Sequence, residues 1–379
     1  MDELRRALQT RIEAGTLPGA VAAVASSDGR ARVDALGVTE FGGEVPMRRG
    51  TPFRITSMTK PMVAAVAMML VEDGTLTLDA PVESWLPELA GRRVLRRLDA
   101  ALADTVPAQR PILVEDLLTF RLGHGLLLGP ESDYPVAAAG RALDLTLAEP
   151  FPRTPYAPDE WLRRFASLPL MYQPGARWAY STGTLLLGVL LSRASGVPLD
   201  DLLRDRLFTP LGMTSTGFTL TPSTAAQLPA HYQAGERQDL SPPSLWTQRP
   251  PFPDGSAGLA STVDDVLAFG RFLLSAGADL LTPSSVQAMT TNHLTGPQIE
   301  SAGILLDGSG WGYGMSVTVR PDDISGPGRY GWDGGYGTSW CNDPATGRVC
   351  VLLTQVSDIF WNGTMPEFLH LALRCNVPA

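Results

Sequence analysis

Between Ser57 and Val71 the chain carries one charged residue, Lys60, in a run of Ala, Met, Val and Leu that stops before Gly74. As a helix, such a run is apolar on every side, so it must sit at the centre of a fold with other elements packed around it. The charge inside it is the second constraint. Lys and Arg together number 30, and 29 of them are Arg, so Lys60 is the only lysine in the chain. Arginine solvates a surface as well as lysine does, but it stays protonated, whereas a buried lysine can lose its proton and act as a base.

The residues around Lys60 narrow its role. Residues 53–56 read as an extended approach to a helix over 57–73. Pro61 lacks an N–H, so either the helix starts at Ser57 with one bond missing or Pro61 opens its regular part. In the first case Ser57 and Lys60, three apart, share a face. A capping role would explain Ser57, but a capping box wants Glu or Gln three residues on, and a cation in the first turn opposes the helix dipole. A nucleophilic serine whose proton passes to a neighbouring amine explains both residues.

Ser57-Met58-Thr59-Lys60 resembles the S-x-x-K motif of the serine β-lactamase and penicillin-binding-protein superfamily, in the form found in family VIII carboxylesterases and related class C-like enzymes. Further segments resemble family markers in the right order: residues 68–87, 117–125, 207–213 and 258–265. Trp178-Ala179-Tyr180-Ser181-Thr182-Gly183 resembles the second motif, a Y-x-N or Y-x-S/T loop. The resemblance implies that Tyr180 exchanges a proton with Ser57 or the leaving group. Thr182 stands where Asn is commonest. The third motif, K-T-G, cannot occur in a chain with one lysine. Tyr330 to Trp340 holds a W-x-G variant in its place, with Trp332, Gly334 and Gly335. The resemblance implies that backbone N–H groups of Ser57 and Gly335 form an oxyanion hole. A cation at the Trp332 position would bind a carboxylate, whereas an indole offers an apolar wall. That favours esters over β-lactams or peptides, although Arg329 or another arginine could replace the cation. His124, in a loop at the edge of the implied site, is a candidate for substrate contact.

The expected fold class is α+β, an antiparallel sheet flanked by terminal helices with an inserted all-helical lobe. Residues 1–15 read as a helix, 20–25 and 30–37 as a strand pair, 257–275 as a helix, 310–356 as three antiparallel strands and 366–374 as a closing helix. Residues 1–80 and 255–379 would form the sheet domain and 81–254 a mainly helical insertion. The aromatic residues Tyr134, Tyr156, Trp161 and Trp246 of the insertion suggest an apolar pocket, although aromatics also pack cores.

A net charge of −9, with basic residues only in scattered Arg doublets, argues against a nucleic-acid partner. The N-terminus has no signal-peptide pattern, and the longest apolar run, Met62 to Val71, is far short of a bilayer span. A cytoplasmic protein without a membrane partner is the expectation. Cys341 and Cys350 flank a turn and could face one another, with two free buried thiols the favoured state. The G-x-S-x-G, H-E-x-x-H, C-x-x-C and P-loop signatures are absent, and no metal-ligand spacing links the four histidines. The reading is a serine hydrolase that cleaves carboxylic esters through an acyl-serine, with no metal or cofactor and a small-molecule ester or amide as substrate. The alternatives are a β-lactamase or D-amino-acid peptidase or amidase, an acyl transferase to a second metabolite, and an idle scaffold. A scaffold would predict decay of Ser57, Lys60 and Tyr180, which are all intact.

Overall fold

A computed structural model describes residues 2–27, 29–128, 133–145, 156–238, 242–320 and 326–375. Its largest feature is a seven-stranded antiparallel sheet. The strands are β1 (Gly19–Ser26), β2 (Ala31–Gly37), β3 (Gly310–Trp311), β4 (Ser316–Val317), β5 (Tyr330–Gly334), β6 (Thr338–Asp343) and β7 (Arg348–Leu353), in the order β2-β1-β7-β6-β5-β4-β3. The C-terminal part thus supplies five strands where sequence pattern suggests three, because two-residue strands show no alternation to read. β1 is buried on both faces, as its sequence Gly-Ala-Val-Ala-Ala-Val-Ala-Ser requires.

Helix α1 (Asp2–Glu13) and the closing helix α5 (Thr364–Arg374) pack on one another and cover the outer face through Leu4, Leu8, Met365 and Phe368. On the inner face, Val21, Ala23, Val349 and Val351 meet α4 (Val263–Leu274) and, deeper, α2 (Thr59–Glu72). The helix α4 starts later than the sequence pattern suggests, because Ala260–Ser261 is extended and pairs with Phe53–Arg54 just before α2. That short ladder ties the approach to α2 to the chain two hundred residues on.

Every residue of α2 from Thr59 to Leu70 is buried, as the apolar run demands. α3 (Thr182–Ser195) lies against it and ends at Gly196, whose φ of +71° suits a residue without a Cβ. Among the described residues between α2 and α4 the regular elements are mostly helices joined by long irregular connections, with two small ladders, Arg93–Leu95 with Thr105–Pro107 and His231–Gln233 with Glu236–Gln238. Among the described residues no single helix is long and apolar enough to cross a membrane. The bent pair Thr182–Ser195 and Leu199–Phe208 is apolar because α3 is a core helix. Cys341 and Cys350 sit directly opposite one another on β6 and β7, and both thiols are free.

Candidate active site

Both alternatives left by Pro61 are realised in part. The chain enters α2 through a 3-10 turn, Thr56–Met58, and the α-helix proper begins at Thr59. Thr56 takes a φ of +43°, a conformation that costs a β-branched residue energy and that the surrounding packing must hold. This turn keeps Ser57 and Lys60 on one face. Lys60 Nζ donates to Ser57 Oγ at 3.0 Å and to the backbone carbonyl of Ser256 at 2.7 Å. Lys60 is 1% exposed, yet Ser57 remains half-buried and reachable.

The third group is Tyr180. Its ring lies 4.5 Å from Lys60 Nζ and is enclosed by Phe120, Trp178 and Trp332. Trp332 Nε1 donates to the Tyr180 hydroxyl oxygen at 3.0 Å. Trp332 therefore does more than wall the site with apolar surface: it fixes the phenol. On β5, Gly334 is where a side chain could not fit, since a Cβ there would lie 2.2 Å from the Ile55 carbonyl. Its absence lets the strand close on the 3-10 turn that carries Ser57.

Ser57, Lys60, Tyr180, Trp332 and Gly335 all line one cavity of about 770 Å³. The size suits a drug-sized ligand. Apolar side chains of Leu126, Leu305, Ile304 and Trp361 contribute to its wall, the last two being 60% and 73% exposed. Arg329 also lines it.

Two expected contacts lie elsewhere. Thr182 and His124 are fully buried and bonded to one another, Nδ1 to Oγ1 at 3.2 Å, and neither lines the cavity. His124 packs edge-on against Phe165, and burial pushes its imidazole down to about 3. The cause is the helix itself: Thr182 opens α3, and the first turn of that helix faces the core. Gly334 likewise acts from beneath the wall. Tyr134, Tyr156, Trp161 and Trp246 do not line the cavity either. Trp161 stacks on Phe165 inside the core, and the aromatic wall comes from Tyr180 and Trp332 instead.

Sequence reasoning missed two supporting groups. The carboxylate of Asp254, 4% exposed, accepts from both the backbone N–H and the hydroxyl of Ser256, each at 2.7 Å, and so shapes the turn that offers the Ser256 carbonyl to Lys60. Burial raises the Asp254 pKa, and the charge of Lys60 opposes that shift. Asp254-Gly255-Ser256 carries an Asx-turn signature that could have drawn attention. The other is a relay behind the β5–β6 turn. His231 Nε2 lies 2.9 Å from Ser357 Oγ, and Ser357 Oγ donates to the Gly335 carbonyl at 2.6 Å. His231 also stacks on Tyr336 with centroids 3.9 Å apart. Burial, and then Arg54, push its imidazole down to about 4.

Residues 4–360 match the sequence model of the family described as Beta-lactamase. The chain belongs to that family. Among curated relatives of this β-lactamase-family chain, it is 37% identical over 372 residues to protein Rv1367c of Mycobacterium tuberculosis, covering 94% of this chain and 90% of the relative. It is 31% identical over 366 residues to esterase EstB of Burkholderia gladioli, covering 90% and 86%. Among solved structures it is similar to EstCE1, described as a hydrolase with promiscuous acyltransferase activity. The TM-score is 0.83 at 26% identity, with 99% of this chain and 98% of the other covered. These relatives support an enzyme of the serine hydrolase fold.

Proposed function

We propose that the protein is a carboxylesterase that works through a covalent acyl-Ser57. The observation that carries this reading is the 3.0 Å contact between Lys60 Nζ and Ser57 Oγ, with the Tyr180 ring against the same amine, at the wall of an open cavity. In this reading Lys60, with Tyr180, takes the Ser57 proton as the oxygen attacks the ester carbonyl. The backbone N–H groups of Ser57 and Gly335 hold the oxyanion. Tyr180 and Lys60 return the proton to the departing alcohol, and water then attacks the acyl-serine. Trp332 in place of a cation disfavours substrates that must be held by a carboxylate. Similarity to EstB and EstCE1 supports esters as the substrate class. Transfer of the acyl group to a second alcohol is the other reading, favoured by the apolar side chains around the cavity, which would seat an acceptor as readily as a leaving group.

The test mixes purified protein with a p-nitrophenyl ester of a short acid and, separately, with a chromogenic cephalosporin. Ester turnover, an acyl adduct found by mass spectrometry on Ser57, and loss of both in Ser57→Ala support the reading. Fast cephalosporin cleavage with little ester turnover would replace it with a β-lactamase. Added alcohol that diverts product from acid to a new ester would favour transfer.

A further inference from the structure

The cavity does not end at Ser57. β4 pairs with β5 only at Ser316–Gly331 and Val317–Tyr330, so from Trp332 onward that edge of β5 meets no strand among the described residues. Side chains alternate along a strand. Trp332 faces Tyr180, on the Ser57 side, so Asp333 faces the other way, directly opposite Ser339 on β6. Asp333, Ser339 and Cys341 line the cavity together with Trp361, Met365 and Leu369 from the C-terminal segment. Cys341 and Met365 belong to the core of the outer face, not the inner one. The open space therefore passes round the free edge of β5, from the nucleophile to a lobe on the opposite face of the sheet.

That outer lobe has an uneven chemistry. Its walls are a thioether, an indole and a leucine, and Asp333 is the acid among these six lining residues. The hydroxyl of Ser339, its cross-strand partner, stands beside the Asp333 carboxyl. We propose that the outer lobe is a second substrate subsite, in which Asp333 selects an apolar group ending in a hydrogen-bond donor, a hydroxyl or an ammonium, and rejects one ending in a carboxylate. The proposal rests on the esterase reading of Ser57 and names the class of ester it takes. Burial moves the Asp333 carboxyl up to about 6, opposed by the neighbouring Ser339 hydroxyl and the charge of Arg329, so at pH 8 it is an anion. An anion in a half-dry lobe attracts donors and repels a second carboxylate. Arg329 lines the same cavity and would pull the other way, which gives the experiment a definite alternative.

The experiment compares three p-nitrophenyl esters of equal length at pH 8: hexanoate, 6-hydroxyhexanoate and the adipate monoester. A parallel series of hexyl, 6-hydroxyhexyl and 5-carboxypentyl acetates covers the case in which the alcohol part enters the lobe. The expected result, in one series, is a kcat/KM for the hydroxyl ester about tenfold or more above that for the carboxylate ester. Asp333→Asn should shrink that ratio by about tenfold, and Asp333→Glu, which keeps the charge, should keep its sign. Calorimetric Kd values on Ser57→Ala give the same ranking without turnover, so failure of the esterase reading would be seen separately, as binding without acylation. A carboxylate ester preferred in either series, which would make Arg329 the dominant group, or ratios that Asp333→Asn leaves unchanged in both series, would overturn the proposal.

Discussion

Replacing Lys60 by Arg asks whether the single lysine acts as a base or only as a charge. The amine is 1% exposed and holds two acceptors, Ser57 Oγ at 3.0 Å and the Ser256 carbonyl at 2.7 Å. A guanidinium keeps the positive charge but cannot give up its proton. Loss of general-base help costs about 10²–10⁴ in rate, or roughly 3–5 kcal/mol of barrier. The larger side chain also enters a packed helix interior, which costs about 1–3 kcal/mol of stability. Lys60→Met separates the two effects. It fits the volume but strands the Ser256 carbonyl, at about 1–3 kcal/mol. Both variants should melt cooperatively a few degrees below wild type and lose about 10³ in kcat/KM on a p-nitrophenyl ester. Circular dichroism melts and initial rates measure both quantities. A folded Lys60→Arg within tenfold of wild-type kcat/KM would refute the assignment of the base to Lys60.

Asp254→Asn should lower kcat by about ten- to a hundredfold with little change in KM, since it loosens the carbonyl that aims Lys60; rates across substrate concentration check this. Ser357→Ala removes the 2.6 Å bond to the Gly335 carbonyl, and a fall of about tenfold in acylation rate, read from the stopped-flow burst, is expected. The histidine contribution to stability should fall as pH drops, opposed in part by the buried carboxyls of Asp254 and Asp333, whose raised pKa values favour the folded state in acid. His231 and His124 have folded-state values of about 4 and about 3, below the ordinary 6.5, so the unfolded chain binds the extra protons. The loss begins below pH 6.5 and continues to about pH 4 for His231 and about pH 3 for His124. At about 1.4 kcal/mol per unit it amounts to several kcal/mol. Urea midpoints at pH 7 and pH 5 check the sign, and His124→Gln should flatten the slope.

What could be read in advance follows from the physics of each signal. Helix α2 was legible because an all-apolar run has one place to go, and Lys60 because an isolated lysine in it has few structural uses. The paired strands β1 and β2 followed from a short apolar run after Pro18-Gly19 and a second segment just beyond a turn. The short strands β3 and β4 did not, since two residues define no period. The geometry around Ser57 depends on contacts that no local pattern encodes. Ser256 reaches Lys60 from 196 residues away, and Ser357 meets His231 across 126. Thr182 lies off the cavity because sequence proximity to Tyr180 says nothing about which way the first turn of α3 faces, and His124, expected at the site from the resemblance of its loop, is buried against Thr182 instead. Trp332 was expected as a passive wall, and its indole N–H gives it a partner that only the fold could supply.

The order of strands in the sheet bears on how the protein is made. β1 pairs with β7, the last strand among the described residues, and Gly335, which lines the same cavity as Ser57, lies just before the last two strands. A ribosome that has released residues 1–300 has produced Ser57 and Tyr180 but neither Trp332 nor the strand that closes the sheet's centre. β1 must therefore wait, apolar on both faces, until β7 has been made more than three hundred residues later, and the nascent chain is a natural client for chaperones. Truncation before Arg348 should cost solubility before it costs chemistry, because it removes β7 from the middle of the sheet and not from its rim.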